Sequence, residues 1–158
     1  MADTYSIIYI HIVFAVKYRE RILQKPWRRE VFKYISGIVE GKRQKSIIVN
    51  GVTDHVHILV GLKPGITLSD LIRDIKNNSS KFINDKKWVP GKFQWQEGYG
   101  AFSVSQCLLD KTYQYILDQE SHHGKITFQS EYTEWIKENG FIPNPKYLFD
   151  WEEEVDQC

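Results

Sequence analysis

Segments with strand periodicity and segments with helix periodicity alternate along this chain in an order that few folds accommodate. Residues 4–19 (TYSIIYIHIVFAVKYR) alternate and are rich in β-branched and aromatic side chains, which predicts a long first strand. Residues 46–53 (SIIVNGVT) and 55–62 (HVHILVGL) predict two more strands joined near Gly51–Asp54, and residues 101–106 (AFSVSQ) predict a short fourth strand.

Helical periodicity fills the intervals between these strands. Pro26 suits a first helical position, and an apolar stripe follows it, formed by Val31, Tyr34, Ile35, Ile38 and Val39. Residues 67–70 (TLSD) resemble a capping box with Asp in place of Glu or Gln, which predicts the start of a second helix. Two further helices are predicted at residues 107–123 and 127–140, the last with Gly140 as its C-cap.

The order strand, helix, strand, strand, helix, strand is that of a ferredoxin-like fold, an antiparallel sheet with two helices on one face. We therefore predict an α+β fold with C-terminal helices added to it. Residues 1–158 are expected to form a single domain, with a core at about 5–150 and an acidic tail at 151–158.

Composition narrows the class of protein. No apolar run approaches the ~18 residues of a membrane span, and the N-terminus lacks the pattern of a secretory signal. Cys107 and Cys158 form neither a disulfide framework nor a zinc-ligand pattern, so we expect a cytoplasmic protein. The net charge of +1 leaves nucleic-acid binding open, because the distribution of charge matters more than its sum.

Two histidines lie in the third predicted strand. Because residues i and i+2 of a strand share a face, His55 and His57 point the same way, and two imidazoles at that spacing can hold one divalent ion. The alternative is that one histidine hydrogen-bonds a backbone carbonyl while the other is half exposed. A histidine-triad hydrolase is disfavoured because Leu59 stands where its next histidine would be, and a two-histidine phosphoesterase would need two His-x-Ser/Thr motifs.

Tyr115 and Gln119 lie one turn apart on the helix predicted at 107–123. On a helical wheel at about 100° per residue, Lys111, Gln119 and His122 fall within roughly 40° of Tyr115. The buried stripe is predicted elsewhere on the wheel, at Leu109, Thr112, Tyr113, Ile116 and Leu117. Tyr113 is therefore a core candidate and Tyr115 a candidate for chemistry, with an ordinary surface tyrosine as the alternative.

Several segments together resemble a known family. The motifs DHVHILVG, WQEGYGAFSVSQ and YILDQESHH, with HIVFAVKYRERIL and NNSSKFIN, are similar to the small single-tyrosine HUH transposases of bacterial insertion sequences. The resemblance extends from about residue 5 to 150. It implies that His55, His57 and Gln119 ligate a divalent metal and that Tyr115 is the nucleophile. Two imidazoles and one amide oxygen suit Mg²⁺ or Mn²⁺ and would also admit other first-row ions.

The resemblance also implies a reaction: single-stranded DNA is cut and rejoined at insertion-sequence ends through a 5′-phosphotyrosine intermediate. Hairpin-bearing single-stranded DNA and a second copy of the chain are the expected partners, and the tyrosine could serve its own histidines or those of its partner. Alternatives are a domesticated single-strand endonuclease, a non-catalytic nucleic-acid-binding module, and a phosphodiesterase that uses water.

Basic and aromatic side chains are candidates for holding DNA. Phosphate contacts are predicted at Lys17, Arg19, Arg28, Arg29, Arg43, Lys76 and Lys81. Trp95 and Tyr99 could stack on unpaired bases, although core packing is the alternative for Trp95. Lys111 and His122 could assist the tyrosine. For each charged residue the alternative is an ordinary solvated side chain.

Overall fold

The computed structural model describes residues 3–122 and 128–141, and its centre is a four-stranded antiparallel sheet. The strands are β1 (Tyr9–Ala15), β2 (Lys45–Gly51), β3 (His55–Gly61) and β4 (Gly100–Val104), in the spatial order β2-β3-β1-β4. Helix α1 (Lys25–Gly41) joins β1 to β2, and α2 (Leu68–Lys86) joins β3 to β4. The predicted α+β fold with ferredoxin-like strand and helix order is confirmed.

In the described part of the chain, three α-helices follow the last strand: α3 (Leu109–Leu117), α4 (Gln119–His122) and α5 (Phe128–Glu138). None of the helices in the described ranges is long and apolar enough to cross a membrane. The predicted tail at 151–158, with Cys158, lies outside the described residues, and the assignment of the whole chain to one domain stays a prediction.

The two faces of the sheet carry different layers. Even-numbered residues of β1 such as Ile12 and Phe14 join Val56 and Ile58 of β3 in the main core, together with the apolar stripes of α1 and α2. On the opposite face, Val13 and Ala15 pack with Tyr132 and other side chains of α5. The C-terminal helices therefore cover the face that the first two helices leave open.

The first strand is shorter than predicted. It ends at Ala15, because residues 17–19 form a single 3-10 turn in which Tyr18 and Arg19 have φ angles of 60° and 51°. Positive φ is incompatible with extended backbone. The turn brings Arg19 to Asp54, which the alternation of side chains alone could not indicate.

The helix predicted at 107–123 is interrupted. Residues 106–108 form a 3-10 turn, and Asp118 (φ −91°, ψ 19°) separates α3 from α4. Asn50 of β2 supplies a physical reason, since its Nδ2 donates to the carbonyl oxygens of Ile116 (2.9 Å) and Leu117 (3.2 Å), at the C-terminal end of α3. The predicted burial of Leu117 is wrong: its side chain is 48% exposed, whereas Ile116 is fully buried.

Two predicted helix ends are confirmed. Thr67 caps α2, because its Oγ1 accepts a hydrogen bond from the backbone N–H of Asp70 at 3.1 Å. Gly140, with φ of 82°, follows α5, and its N–H donates to the carbonyl of Lys137 at 3.0 Å.

Candidate active site

His55 and His57 lie at the centre of the sheet face that the C-terminal helices cover. In the β1–β3 register they stand opposite Ala15 and Val13, and both imidazoles are fully buried. Their ring centroids are 5.1 Å apart. The predicted placement of both histidines on one face is confirmed, whereas the alternative of a half-exposed histidine does not apply.

Asp54 orients His55. The carboxylate Oδ1 lies 2.7 Å from Nδ1 of His55, and Oδ2 accepts a hydrogen bond from Arg19 at 3.1 Å. Burial alone would raise the pKa of Asp54, but the hydrogen bonds and charges of His55 and Arg19 outweigh burial and lower it. An ionised Asp54 accepts the Nδ1–H of His55, so Nε2 is the nitrogen that can ligate a metal.

Tyr115 reaches the histidines from α3. Its ring centroid is 5.8 Å from that of His57, in the same chain, and 5.2 Å from that of Trp135 on α5. The hydroxyl donates a hydrogen bond to the carboxylate of Glu131, also on α5. Burial and the Glu131 carboxylate both raise the pKa of Tyr115, so the phenol is protonated at neutral pH.

Gln119 is the first residue of α4 and is fully buried. Its Nε2 donates to the backbone carbonyl of Tyr115 at 3.2 Å, and the Gln119 side chain acts to lower the pKa of Tyr115, against burial and Glu131. The amide nitrogen cannot bind a metal ion while it donates, which leaves Oε1 as the ligating atom. The next residue, Glu120, forms ion pairs with Arg28 and Lys25 of α1, which hold α4 in place.

The donor set suits a divalent ion with neutral ligands. No group of three or more His, Cys, Asp or Glu side chains capable of holding a metal occurs in the described part of the chain. Gln119 offers a donor of another type beside His55 and His57, because its amide oxygen is a hard donor that Mg²⁺ and Mn²⁺ accept. The residues present fit the metal that the sequence motifs imply.

Besides Asp54, the structure adds three residues that the sequence analysis did not select: His11, Glu131 and Trp135. Nε2 of His11 lies 2.8 Å from Nδ1 of His57, and the two rings stack with centroids 5.1 Å apart. The carboxylate of Glu131 accepts a hydrogen bond from the Tyr115 hydroxyl. The Trp135 ring lies edge-on to the rings of His11, His57 and Tyr115.

Sequence signals for these residues exist but are weak. His11 shares one face of the first predicted strand with Val13 and Ala15. Glu131 and Trp135 are four residues apart on one predicted helix and therefore share a helix face. Only the strand register and the docking of α5 bring them to the site. Burial lowers the pKa of His11 to about 4, so its imidazole is neutral at physiological pH.

Some predicted DNA contacts come together in one groove. It has a volume of about 1020 Å³, lies between α2 and residues 92–97, and is lined by lysines at positions 17, 76, 81 and 92. Lys76 donates to the carbonyls of Gln96 (2.8 Å) and Gly98 (2.5 Å), and Lys17 donates to Gln94 Oε1 at 3.2 Å. The groove also presents the polar side chains of Asn77, Ser80 and Asn84.

Other predicted DNA contacts have internal partners. Arg19 pairs with Asp54, and the buried Arg28 binds the carbonyl of Leu23 and the carboxylate of Glu120. Trp95 is 8% exposed, its indole N–H donates to Ser79 at 2.9 Å, and its ring packs edge-on against Phe14. This position corresponds to the core-packing alternative for Trp95 and gives Ser79 a structural role.

The remaining candidates are dispersed. Arg29, Arg43 and Lys111 are exposed, and Tyr99 is 43% exposed. The side chain of His122 lies outside the described residues. The structure does not test whether these residues contact DNA or assist Tyr115, so each of these roles stays a prediction.

The chain is similar to known transposases in sequence. It is 29% identical over 102 residues to the transposase for insertion sequence element IS200 of Salmonella typhimurium, a match that covers 61% of this chain and 66% of that protein. It is 25% identical over 122 residues to the ISDra2 transposase TnpA of Deinococcus radiodurans, covering 73% of this chain and 84% of that one.

Solved structures share the fold. A putative transposase from Deinococcus radiodurans matches with a TM-score of 0.61 at 21% identity, over 75% of this chain and 95% of its own. A REP-associated tyrosine transposase bound to a REP hairpin matches with a TM-score of 0.58 at 15% identity, over 100% of this chain and 95% of its own. The family model described as "Transposase IS200 like" matches residues 4–119, a range that contains His55, His57, Tyr115 and Gln119, and the chain belongs to this family of IS200-like transposases.

Proposed function

We propose that this protein is a transposase that cuts and rejoins single-stranded DNA through a covalent bond between Tyr115 and a 5′-phosphate. The observation that carries the proposal is the contact between the Tyr115 ring and His57 within one chain, with Gln119 hydrogen-bonded to the same tyrosine. A water-using phosphodiesterase would have no need for a phenol at this position.

His55, His57 and Gln119 are the proposed ligands of a Mg²⁺ or Mn²⁺ ion. When bound, the ion offsets the charge that develops on a non-bridging oxygen of the scissile phosphate. All three ligands are neutral, so they leave the positive charge of the metal ion undiminished for the scissile phosphate. Asp54 and the strand pairing of β3 hold the two histidines in position before DNA arrives.

Tyr115 attacks phosphorus while Glu131 accepts the phenolic proton. The Oη–P bond forms as the bond between phosphorus and the 3′-oxygen breaks, and the leaving 3′-oxygen takes a proton from water. The product is a 5′-phosphotyrosine and a free 3′-hydroxyl. In the rejoining step another 3′-hydroxyl attacks phosphorus and gives its proton to the solvent, while the Oη–P bond breaks and Glu131 returns its proton to the phenol. The exchange of one phosphodiester for another needs no external energy source.

DNA must reach a site that is covered in this structure. His55, His57 and Gln119 are each fully buried, and the Trp135 ring lies against His57. A phosphate can therefore contact the histidines only after side chains of the C-terminal helices move aside.

The lysine-lined groove is the proposed binding surface for the DNA backbone. Lys76 and Lys81 lie along α2, and Lys17 and Lys92 come from two other segments of the chain, so the positive charge converges on one surface. One structural relative was solved with a REP hairpin, which supports hairpin-bearing DNA as the ligand of this chain.

We further propose that two copies act together in the cytoplasm. Each chain has one Tyr115 and therefore makes one cut, so joining two element ends needs two chains. Because Tyr115 contacts the histidines of its own chain, each active site would be complete within one copy, with the tyrosine acting in cis.

The test is detection of a covalent protein–DNA adduct. The protein is incubated with Mn²⁺ and labelled single-stranded DNA carrying the palindromes that flank its gene, and the mixture is resolved on a denaturing gel. We expect a labelled band that stays with the protein and is lost with chelator and in Tyr115→Phe.

Tyr113→Phe is the matched control, because it removes a hydroxyl from the same helix two residues away, and we expect its adduct yield to equal that of the original protein. DNA that binds without forming an adduct would favour a non-catalytic module. Cleavage that persists in Tyr115→Phe would make water the nucleophile and overturn the proposal.

A further inference from the structure

The hydrogen bond between His11 and His57 joins a third histidine to the proposed metal site from behind. Nε2 of His11 lies 2.8 Å from Nδ1 of His57, both side chains are buried, and the pair links β1 to β3 across the sheet. The resemblance of the sequence to transposases assigned no role to His11.

His11 meets His57 on the side of the ring away from the proposed ion. Nε2 of His11 faces Nδ1 of His57, whereas the ion is proposed to be held by Nε2 of His57. A separation of 2.8 Å is the length of an N–H···N hydrogen bond. One ring donates its proton and the other accepts it.

The direction of this bond decides whether His57 can bind a metal. If Nδ1 of His57 carries the proton and donates it, Nε2 of His57 keeps a lone pair that can ligate. If His11 is the donor, a neutral His57 carries its proton on Nε2 and cannot ligate through that atom.

His55 has the equivalent arrangement with a different partner. Its Nδ1 faces the Asp54 carboxylate at 2.7 Å, and a carboxylate can only accept, so Nε2 of His55 is the ligating nitrogen. For His57 to act on the same ion through the same atom, its Nδ1 must also donate, which makes Nε2 of His11 the acceptor.

We propose that His11 is a positioning residue that holds His57 as the Nδ1–H tautomer and so directs Nε2 of His57 to the divalent cation. The inference rests on the proposed function, in that it takes His57 to be a metal ligand. A neutral imidazole fixes the tautomer without adding negative charge beside the site, whereas Asp54 adds one charge behind His55.

The first measurement is of the tautomer itself. Long-range ¹H–¹⁵N spectra of the imidazoles at mildly alkaline pH, without metal, should give the Nδ1–H pattern for His57 in the original protein. In His11→Phe, which keeps a ring but removes the acceptor, the His57 signals should move towards a mixture of tautomers. A purely structural role for His11 would leave the pattern unchanged.

The second measurement is Mn²⁺ affinity by calorimetry. Loss of a residue that orients a metal ligand typically weakens metal affinity 10–100-fold, and we expect a weakening of about that size in His11→Phe. His11→Gln retains an acceptor oxygen and should recover most of the affinity. Tyr9 lies two residues before His11 on the same face of β1. The Tyr9→Phe variant is the control and should bind Mn²⁺ as tightly as the original protein does.

The outcomes separate this inference from the proposed function. An Nε2–H pattern for His57 in the original protein, equal Mn²⁺ affinity in His11→Phe, or no Mn²⁺ binding by the original protein would each overturn the role of His11. Absence of the DNA adduct alongside the expected tautomer and Mn²⁺ results would overturn the strand-transfer function and leave the role of His11 intact. If His11→Phe does not fold, the His57 tautomer in the original protein still decides the inference, because an Nε2–H pattern there overturns it.

Discussion

At the scale of single residues, the chemistry depends on which proton acceptor each reactive group faces. The phenol of Tyr115 faces Glu131, and the imidazole of His55 faces Asp54. Glu131 lies on α5, beyond the residues 4–119 that match the family model. The proposed base of the reaction therefore comes from a part of the chain that the family motif does not include.

Glu131→Gln should slow adduct formation by roughly 100-fold or more, because the amide accepts the hydrogen bond of Tyr115 but is a very poor base. DNA binding should be unchanged, since Glu131 is buried beneath the site rather than in the lysine groove. Single-turnover adduct kinetics provide the measurement. Glu134→Gln, an exposed change on the same helix, is the control; an equal or faster rate in Glu131→Gln would show that the carboxylate only restrains the tyrosine.

At the scale of secondary-structure elements, the site depends on the fit between α5 and the sheet. Tyr132 of α5 packs on Val13 and Ala15 of β1, and the same helix carries Glu131 and Trp135 to the histidines. Gly100 begins β4 directly beneath Tyr132. A Cβ at Gly100 would lie 2.6 Å from the Tyr132 hydroxyl oxygen and 2.9 Å from its ring.

Gly100→Ala should therefore destabilise the protein by about 1–3 kcal/mol, the usual cost of overpacking, by pushing α5 away from β4. Urea unfolding gives the free energy, and hydrogen exchange should show the loss of protection concentrated in α5. Gly37→Ala, at an exposed position inside α1 where nothing lies within 4 Å of the new Cβ, should instead stabilise by about 0.5–1 kcal/mol. Equal stability of the two variants would contradict the close contact at Gly100.

At the scale of the whole molecule, the distribution of charge matters more than its sum. The formal net charge is only +1, yet four lysines from separate segments line one groove. Burial lowers the pKa of Lys76 to about 8, with the opposing charge of Glu97 raising it in part. Lys76 is thus charged below about pH 8 and loses its charge as the pH rises further.

Hairpin DNA affinity should fall as pH rises through about 8, because binding then requires Lys76 to take up a proton. The fall should approach about tenfold per pH unit above that value, the limit for one linked proton. Lys76→Arg stays charged and should flatten this dependence. Fluorescence anisotropy with labelled hairpin DNA measures the affinity of the original protein and of Lys76→Arg across this pH range. If the two proteins show the same pH dependence, Lys76 is not part of the DNA-binding surface.

Local patterns in the sequence alone determined the order of strands and helices, the shared face of His55 and His57, and the one-turn spacing of Tyr115 and Gln119. These features depend on residues close together in the chain, where the periods of strand and helix apply directly. The same local motifs carried the resemblance to transposases, which the family match confirms.

Contacts between residues distant in the chain were decided only by the tertiary structure. The pairing of β1 with β3 brought His11 to His57, and the docking of α5 brought Glu131 to Tyr115. Arg28 and Trp95, two candidates for DNA contacts, have internal partners instead. Register and packing depend on the complementarity of whole surfaces, and no local period in the sequence encodes which distant side chains will meet.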